Sequence, residues 1–256
     1  MSMKNIIIND QLINYSTNFT VNSGVPIIFL HGWRVDSKIW QEIIGLMRNE
    51  SIGNDIYAID FPGFGGSPSP KTDFNLTDYC GIVEQFMLKL ELKKAILIGH
   101  SFGGRVAIKL SATKPELAVQ VILVDSAGLI IHQNKKKALN IAAKIVKPFF
   151  GAKVMQPLRK EIYRKIGADD YLATPELQKT YVNIINEDLS VYLPKMPGPT
   201  LIIWGSEDKD TPLEYARKMS QDIHKSKMVI LDGAGHFCFQ DQPAEFVKAI
   251  KEFINV

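Results

Sequence analysis

The residues best placed to do chemistry lie near the middle of the chain, in Ala95-Ile96-Leu97-Ile98-Gly99-His100-Ser101-Phe102-Gly103-Gly104-Arg105-Val106-Ala107. A β-branched apolar run passes directly into a Gly-x-Ser-x-Gly turn and then into a helical pattern. A serine at the tip of so sharp a strand-to-helix turn sits in strained backbone. Its neighbours two before and two after come too close for side chains, hence Gly99 and Gly103. The turn also aims the hydroxyl outward and leaves N–H groups at a helix start free to bind an oxyanion. A serine hydroxyl is a weak nucleophile alone and needs a base. Of the five histidines, His31, His100, His132, His224 and His236, His100 adjoins Ser101 and must point away from it. His132 and His224 stand in polar surroundings, and His31 ends a strand. His236 sits in Asp232-Gly233-Ala234-Gly235-His236-Phe237, a glycine-rich loop after the last strand pattern, and is the expected base. The base needs a carboxylate to hold its tautomer. Asp208, after the run Leu201–Trp204, is the expected partner, with Asp125 and Asp210 as alternatives.

The elements that must position these groups follow from hydrophobic periodicity. Short apolar runs at Ile27–Leu30, Ile56–Ile59, Ala95–Ile98, Val119–Val124, Leu201–Trp204 and Met228–Leu231 read as strands covered on both faces, which means a parallel sheet. Helical spacing at Ile39, Ile43, Leu46 and Met47, at Ile82, Val83, Phe86 and Leu90, and at Phe246, Val247, Ile250 and Phe253 lies between and after them. The alternation predicts an α/β fold with helices on both faces. Ile6–Ile8 and Leu12–Tyr15 around Asn9-Asp10 predict an antiparallel hairpin at the sheet edge. From about Leu129 to Met196 strand patterns cease and helical pieces are expected near 139–150, 155–166 and 175–186. This insertion carries 12 Lys/Arg against 6 acids, read as a solvated helix face, with a basic lid over an acidic substrate or near a membrane surface as the alternative.

The 256 residues carry a net charge of +3, too little to argue for nucleic acid, with 46% hydrophobic and 22% charged residues, as expected of a globular chain. Two cysteines, Cys80 and Cys238, exclude a disulfide framework and a four-cysteine zinc site. No apolar stretch reaches the length of a membrane span, and the first residues do not resemble a secretion signal, so a cytoplasmic location is expected.

Five motifs in order resemble the α/β-hydrolase superfamily, in its lid-bearing branch of small bacterial esterase-like hydrolases. They are His31-Gly32-Trp33, Asp60-Phe61-Pro62-Gly63-Phe64-Gly65-Gly66-Ser67, the Ser101 turn, Trp204-Gly205-x-x-Asp208 and Gly235-His236-Phe237. The resemblance implies an α/β-hydrolase fold with a mostly parallel central sheet, a core of residues 1–128 and 197–256, and a helical cap at 129–196. It implies that the backbone N–H groups of Trp33 and Phe102 form the oxyanion hole and that Asp60–Ser67 is a structural turn beside the site. Candidate pocket residues are His31, Arg34, Phe149, Tyr163 and Phe237; Arg34 is expected to be solvated or ion-paired, with a substrate carboxylate as its alternative partner. The implied activity is hydrolysis of a carboxylic ester or thioester of a small or medium acyl substrate by Ser101, Asp208 and His236. It needs no metal or organic cofactor, and the protein would act as monomer or homodimer on a small molecule. Rival readings are a carbon–carbon bond hydrolase, an amidase or aminopeptidase, and a non-hydrolysing receptor. Relatives that cleave carbon–halogen bonds or epoxides use Asp where this chain has Ser101, and carbon–carbon hydrolases typically carry Asn where it has His100.

Overall fold

The computed structural model describes residues 2–18, 24–130 and 169–254. They build one eight-stranded sheet from β1 (Ser2–Ile8), β2 (Gln11–Asn18), β3 (Ile27–Leu30), β4 (Ile56–Ile59), β5 (Ala95–His100), β6 (Ala118–Val124), β7 (Thr200–Gly205) and β8 (Ser226–Leu231). The spatial order is β1-β2-β4-β3-β5-β6-β7-β8. β2 runs antiparallel to both β1 and β4, and every other neighbouring pair is parallel. The described helices are α1 (Gln41–Asn49), α2 (Leu76–Lys89), α3 (Phe102–Thr113), α4 (Asp169–Ala173), α5 (Gln178–Ile185), α6 (Glu214–Asp222), α7 (Cys238–Asp241) and α8 (Pro243–Ile254).

The predicted hairpin is present. Asn9 and Asp10 both take positive φ, 48° and 60°, which matches the right-handed twist of the flanking strands, and Ile8 pairs with Gln11. In the central strands the two-residue pleat splits each apolar run between two cores. Ile28, Leu30, Leu97, Val121, Leu123, Ile202 and Trp204 face the core shared with α2 and α3. Ile27, Phe29, Ile96, Ile98, Ile122, Val124, Leu201 and Ile203 face the core shared with α1 and α8. β8 departs from the expectation of burial on both faces. It lies at the sheet edge with one neighbour, its pattern is largely half-buried, and Ile230 is 40% exposed.

α2 opens on a capping box, with the Asn75 side chain accepting from the Asp78 N–H and the Asp78 carboxylate accepting from the Asn75 N–H. Strand order reverses on either side of β3. The chain moves from β3 to β4 on one side and then to β5 on the other, the arrangement that opens a crevice beyond the carboxyl ends of the strands. Described residues between β6 and β7 contain no strand. They include α4, α5 and short 3-10 turns at Pro175–Leu177 and Leu193–Lys195. The helical pieces expected near 139–150 and 155–166, with His132, Phe149 and Tyr163, lie outside the described residues. Among the described residues no helix is long and apolar enough to cross a membrane.

Candidate active site

Ser101 stands between the end of β5 and the start of α3 with φ 50° and ψ −109°, a conformation L-residues rarely adopt. Its neighbours hold it there. Its N–H donates to the Val124 carbonyl at 3.0 Å, and its own carbonyl accepts from Gly104 at 3.1 Å and Ala127 at 3.1 Å. Such strain persists only where the surrounding structure over-determines it. The flanking glycines have the predicted cause. A Cβ on Gly99 would overlap the Gly103 carbonyl, and one on Gly103 would overlap the Leu30 carbonyl. Both obstacles are main chain, which cannot swing aside. Gly103→Ala is therefore expected to destabilise the fold by about 1–3 kcal/mol or more. Urea denaturation showing stability within about 0.5 kcal/mol of the parent, the range of ordinary surface substitutions, would contradict this packing argument.

The loops after β7 and β8 bring Asp208 and His236 together. His236 Nδ1–H donates to Asp208 Oδ2 at 2.8 Å, the Asp208 side chain being fully buried and that of His236 14% exposed. Asp208 Oδ1 also accepts from the N–H groups of Asp210 (2.8 Å) and Thr211 (2.9 Å), and Oδ2 from the Thr211 hydroxyl (2.6 Å). Burial pushes the Asp208 carboxyl up, but the bonds from His236 and Thr211 outweigh it and hold the group below its ordinary value. For His236, burial acts downward and is outweighed by the bond and charge of Asp208, with Asp210 and Asp125 adding to them, so the imidazole is raised.

The two alternative carboxylates are placed elsewhere. Asp125, fully buried, accepts from the N–H groups of Gly205 (2.8 Å) and Cys238 (3.2 Å) and ties β6 to the neighbouring loops. Burial raises it to about 7. Asp210 is exposed and offers its N–H to Asp208. Asp208, Asp210 and His236 bring one metal-capable atom each within 4.8 Å. Four donors already occupy the Asp208 oxygens, which suits an acid–base pair better than an open cation site.

Ser101 and His236 line one cavity of about 640 Å³, together with Trp33, Arg34, Phe102 and Phe237. Among the described residues the Ser101 hydroxyl and the N–H groups of Trp33 and Phe102 make no hydrogen bond. The Trp33 ring packs edge-on to Phe102, with centroids 5.4 Å apart, and lies 5.3 Å from Tyr181 of α5. His31, expected in the pocket, is instead buried behind it. Its Nδ1–H donates to the Gly32 carbonyl at 2.7 Å and its Nε2 accepts from the Phe61 N–H at 2.9 Å, so both ring nitrogens serve the main chain. The Asp60–Ser67 turn is held beside it, Asp60 accepting from the N–H groups of Ser37 and Gly66, each at 2.8 Å. His100 is buried too. Its Nε2–H donates to the His236 carbonyl at 2.8 Å, and burial lowers the ring to about 3, so it stays neutral and is no base at ordinary pH. His224 is exposed on the surface.

Several cavity residues escaped the sequence reading, among them Arg105 and, from the segment without strand patterns, Asp170 and Tyr181. Arg105 is signalled only by being one helical turn beyond Ser101. Its buried guanidinium donates from Nη2 to the Ile184 and Glu187 carbonyls, which anchors α3 to α5.

Comparison with known proteins matches residues 27–249 to the model of the "Alpha/beta hydrolase family". The chain is similar to the hydrolase YugF of Bacillus subtilis, 26% identical over 90% of this chain and 89% of that protein. It is similar to the pimeloyl-[acyl-carrier protein] methyl ester esterase of Wigglesworthia glossinidia brevipalpis, 29% identical over 92% of this chain and 96% of that one. Among solved structures, a thermophilic esterase from Thermogutta terrifontis superposes with a TM-score of 0.75 at 22% identity, covering 100% of this chain and 98% of that one.

Proposed function

The chain belongs to the alpha/beta hydrolase family, and from that premise we propose that it is a serine hydrolase of carboxylic esters or thioesters with small or medium acyl groups. The observation that carries this is the 2.8 Å bond from His236 Nδ1 to Asp208, made at the wall of the cavity that Ser101 also lines. That bond commits Nδ1 and leaves Nε2 as the nitrogen that accepts a proton.

In this reading Ser101 Oγ attacks the acyl carbon and its proton passes to His236 Nε2. The N–H groups of Trp33 and Phe102 hold the resulting oxyanion. The tetrahedral species collapses, the C–O or C–S bond breaks, and the alcohol or thiol leaves with the proton from His236. Water then gives a proton to His236 and attacks the acyl carbon, the bond to Ser101 Oγ breaks, and His236 returns the proton to Oγ as the acid leaves. Residues 1–128 and 197–256 act as the catalytic core and 129–196 as a cap, from which Asp170 and Tyr181 reach the cavity.

The test is turnover of p-nitrophenyl esters from acetate to octanoate, together with mass-spectrometric mapping of a fluorophosphonate adduct. Turnover with the adduct on Ser101 is expected. Neither turnover nor labelling would overturn the reading, and preferred cleavage of an aminoacyl anilide or of a vinylogous 1,5-diketone would move it to the amide or carbon–carbon class.

A further inference from the structure

Two guanidinium groups line the cavity beside Ser101, those of Arg34 and Arg105. They are in opposite states. Arg105 is 5% exposed and Nη2 donates to two carbonyls. Its Nε is buried without a hydrogen bond among the described residues, and burial lowers the guanidinium to about 10 against the opposing charge of Glu187, whose carboxylate pairs with Lys109. Arg34 is open. Its side chain is 46% exposed, and its one ionic contact among the described residues joins Nη1 to Asp170 Oδ1 at 3.2 Å. Only one nitrogen and one oxygen meet, whereas a guanidinium fork and a carboxylate can form two parallel bonds.

The backbone adds an independent observation. Arg34 has φ 64°, in the left-handed region where glycine or asparagine is the ordinary occupant. A half-exposed ion pair stabilises a fold little, so the contact with Asp170 gives a weak structural reason to keep a strained arginine there. Strain of this kind gathers at ligand-binding positions. Arg34 also directly follows Trp33, whose N–H is assigned above to the oxyanion.

We propose that Arg34 recognises a carboxylate carried by the substrate in addition to its ester, and that Asp170 is the internal counter-ion which that carboxylate displaces. The proposal rests on the ester-hydrolase reading and names a substrate class for the same site, acidic esters with the carboxylate a few bonds from the reacting carbonyl. Asp170 and Asp210 both line the cavity, so an anion is not drawn in by a general positive field. It is accepted at one fork, where two well-directed hydrogen bonds replace one poor one. A neutral ester leaves the Arg34–Asp170 pair closed and gains nothing from it, which is how the pair would discriminate between the two substrates.

The experiment compares kcat/KM for ethyl hydrogen glutarate and ethyl hydrogen adipate with ethyl valerate and ethyl hexanoate, followed by acid release at constant pH. A carboxylate on the alcohol side is covered by 4-(butyryloxy)benzoate against phenyl butyrate. The readout is the ratio of acidic to neutral substrate. In at least one pair Arg34→Gln is expected to lower that ratio by about ten- to a hundredfold, Arg34→Lys to fall between because the point charge survives without the fork, and Asp170→Asn to raise it. A change under about twofold in Arg34→Gln in every pair, or a fall in Asp170→Asn, overturns the proposal. If the parent protein hydrolyses none of these esters, turnover of the p-nitrophenyl series and labelling of Ser101 decide the ester reading separately. Calorimetric binding of glutarate then decides the carboxylate claim, since tighter binding by the parent than by Arg34→Gln upholds it and equal or absent binding rejects it.

Discussion

Replacing Ser101 with alanine is expected to lower turnover of a model ester by about four to six orders of magnitude, the loss found when the nucleophile of such a relay is removed. The substitution deletes one oxygen and little else. Alanine meets the same backbone strain at φ 50°, and the main-chain bonds to Val124, Gly104 and Ala127 do not involve the hydroxyl. Thermal unfolding close to that of the parent should therefore accompany the loss, which separates missing chemistry from a missing fold. What survives should be the smaller contribution of binding and of the N–H groups at Trp33 and Phe102. Near-normal turnover by the purified variant would remove Ser101 from the mechanism.

Asp208→Asn is expected to cost about four orders of magnitude in kcat, and the hydrogen-bond pattern gives the reason. The N–H groups of Asp210 and Thr211 both point at Oδ1, so an asparagine must keep its carbonyl oxygen there. Its amide NH2 then faces His236 Nδ1, where the carboxylate oxygen accepted a bond before. That donor favours the tautomer protonated on Nε2, which cannot take the Ser101 proton. The pH profile should change as well. The base works only when neutral. In the parent the Asp208 charge, with Asp210 and Asp125 behind it, raises His236, so kcat/KM should fall with decreasing pH through a midpoint above the ordinary histidine value of about 6.5. In Asp208→Asn the residual acid limb should move to lower pH because the stabilising charge is gone. A limb that stays in place, or a loss under about tenfold, would show that Asp208 does not orient the base.

Much of this geometry was legible in the residue order because the local constraints are steric. Gly99, Ser101 and Gly103 announce the turn since no other residue type fits where a Cβ would strike main chain, and Asn9-Asp10 announces the hairpin since its φ values suit short polar residues. The apolar runs of β3 to β7 report burial on both faces directly. β8 carries a similar run yet sits at the edge, because composition does not say how many neighbours a strand has. His31 shows the same limit in the site. A histidine ending a strand beside Gly32 and Trp33 reads as a pocket residue. Only the fold reveals that Gly32 and Phe61 take up both of its nitrogens.

The sequence by itself showed the class of fold and singled out Ser101 and His236 as the candidates for nucleophile and base, since each reading depends on neighbours a few residues away. The choice of Asp208 over Asp125 and Asp210, and the meeting of Arg34 with Asp170, depend on segments 28 to 136 residues apart along the chain. Three carboxylates near strand ends look alike in one dimension. Whether each meets an imidazole, a pair of main-chain amides or solvent is decided by how the loops beyond β6, β7 and β8 cross at the carboxyl edge of the sheet, and direct contact at hydrogen-bonding distance then sets which one can hold the base.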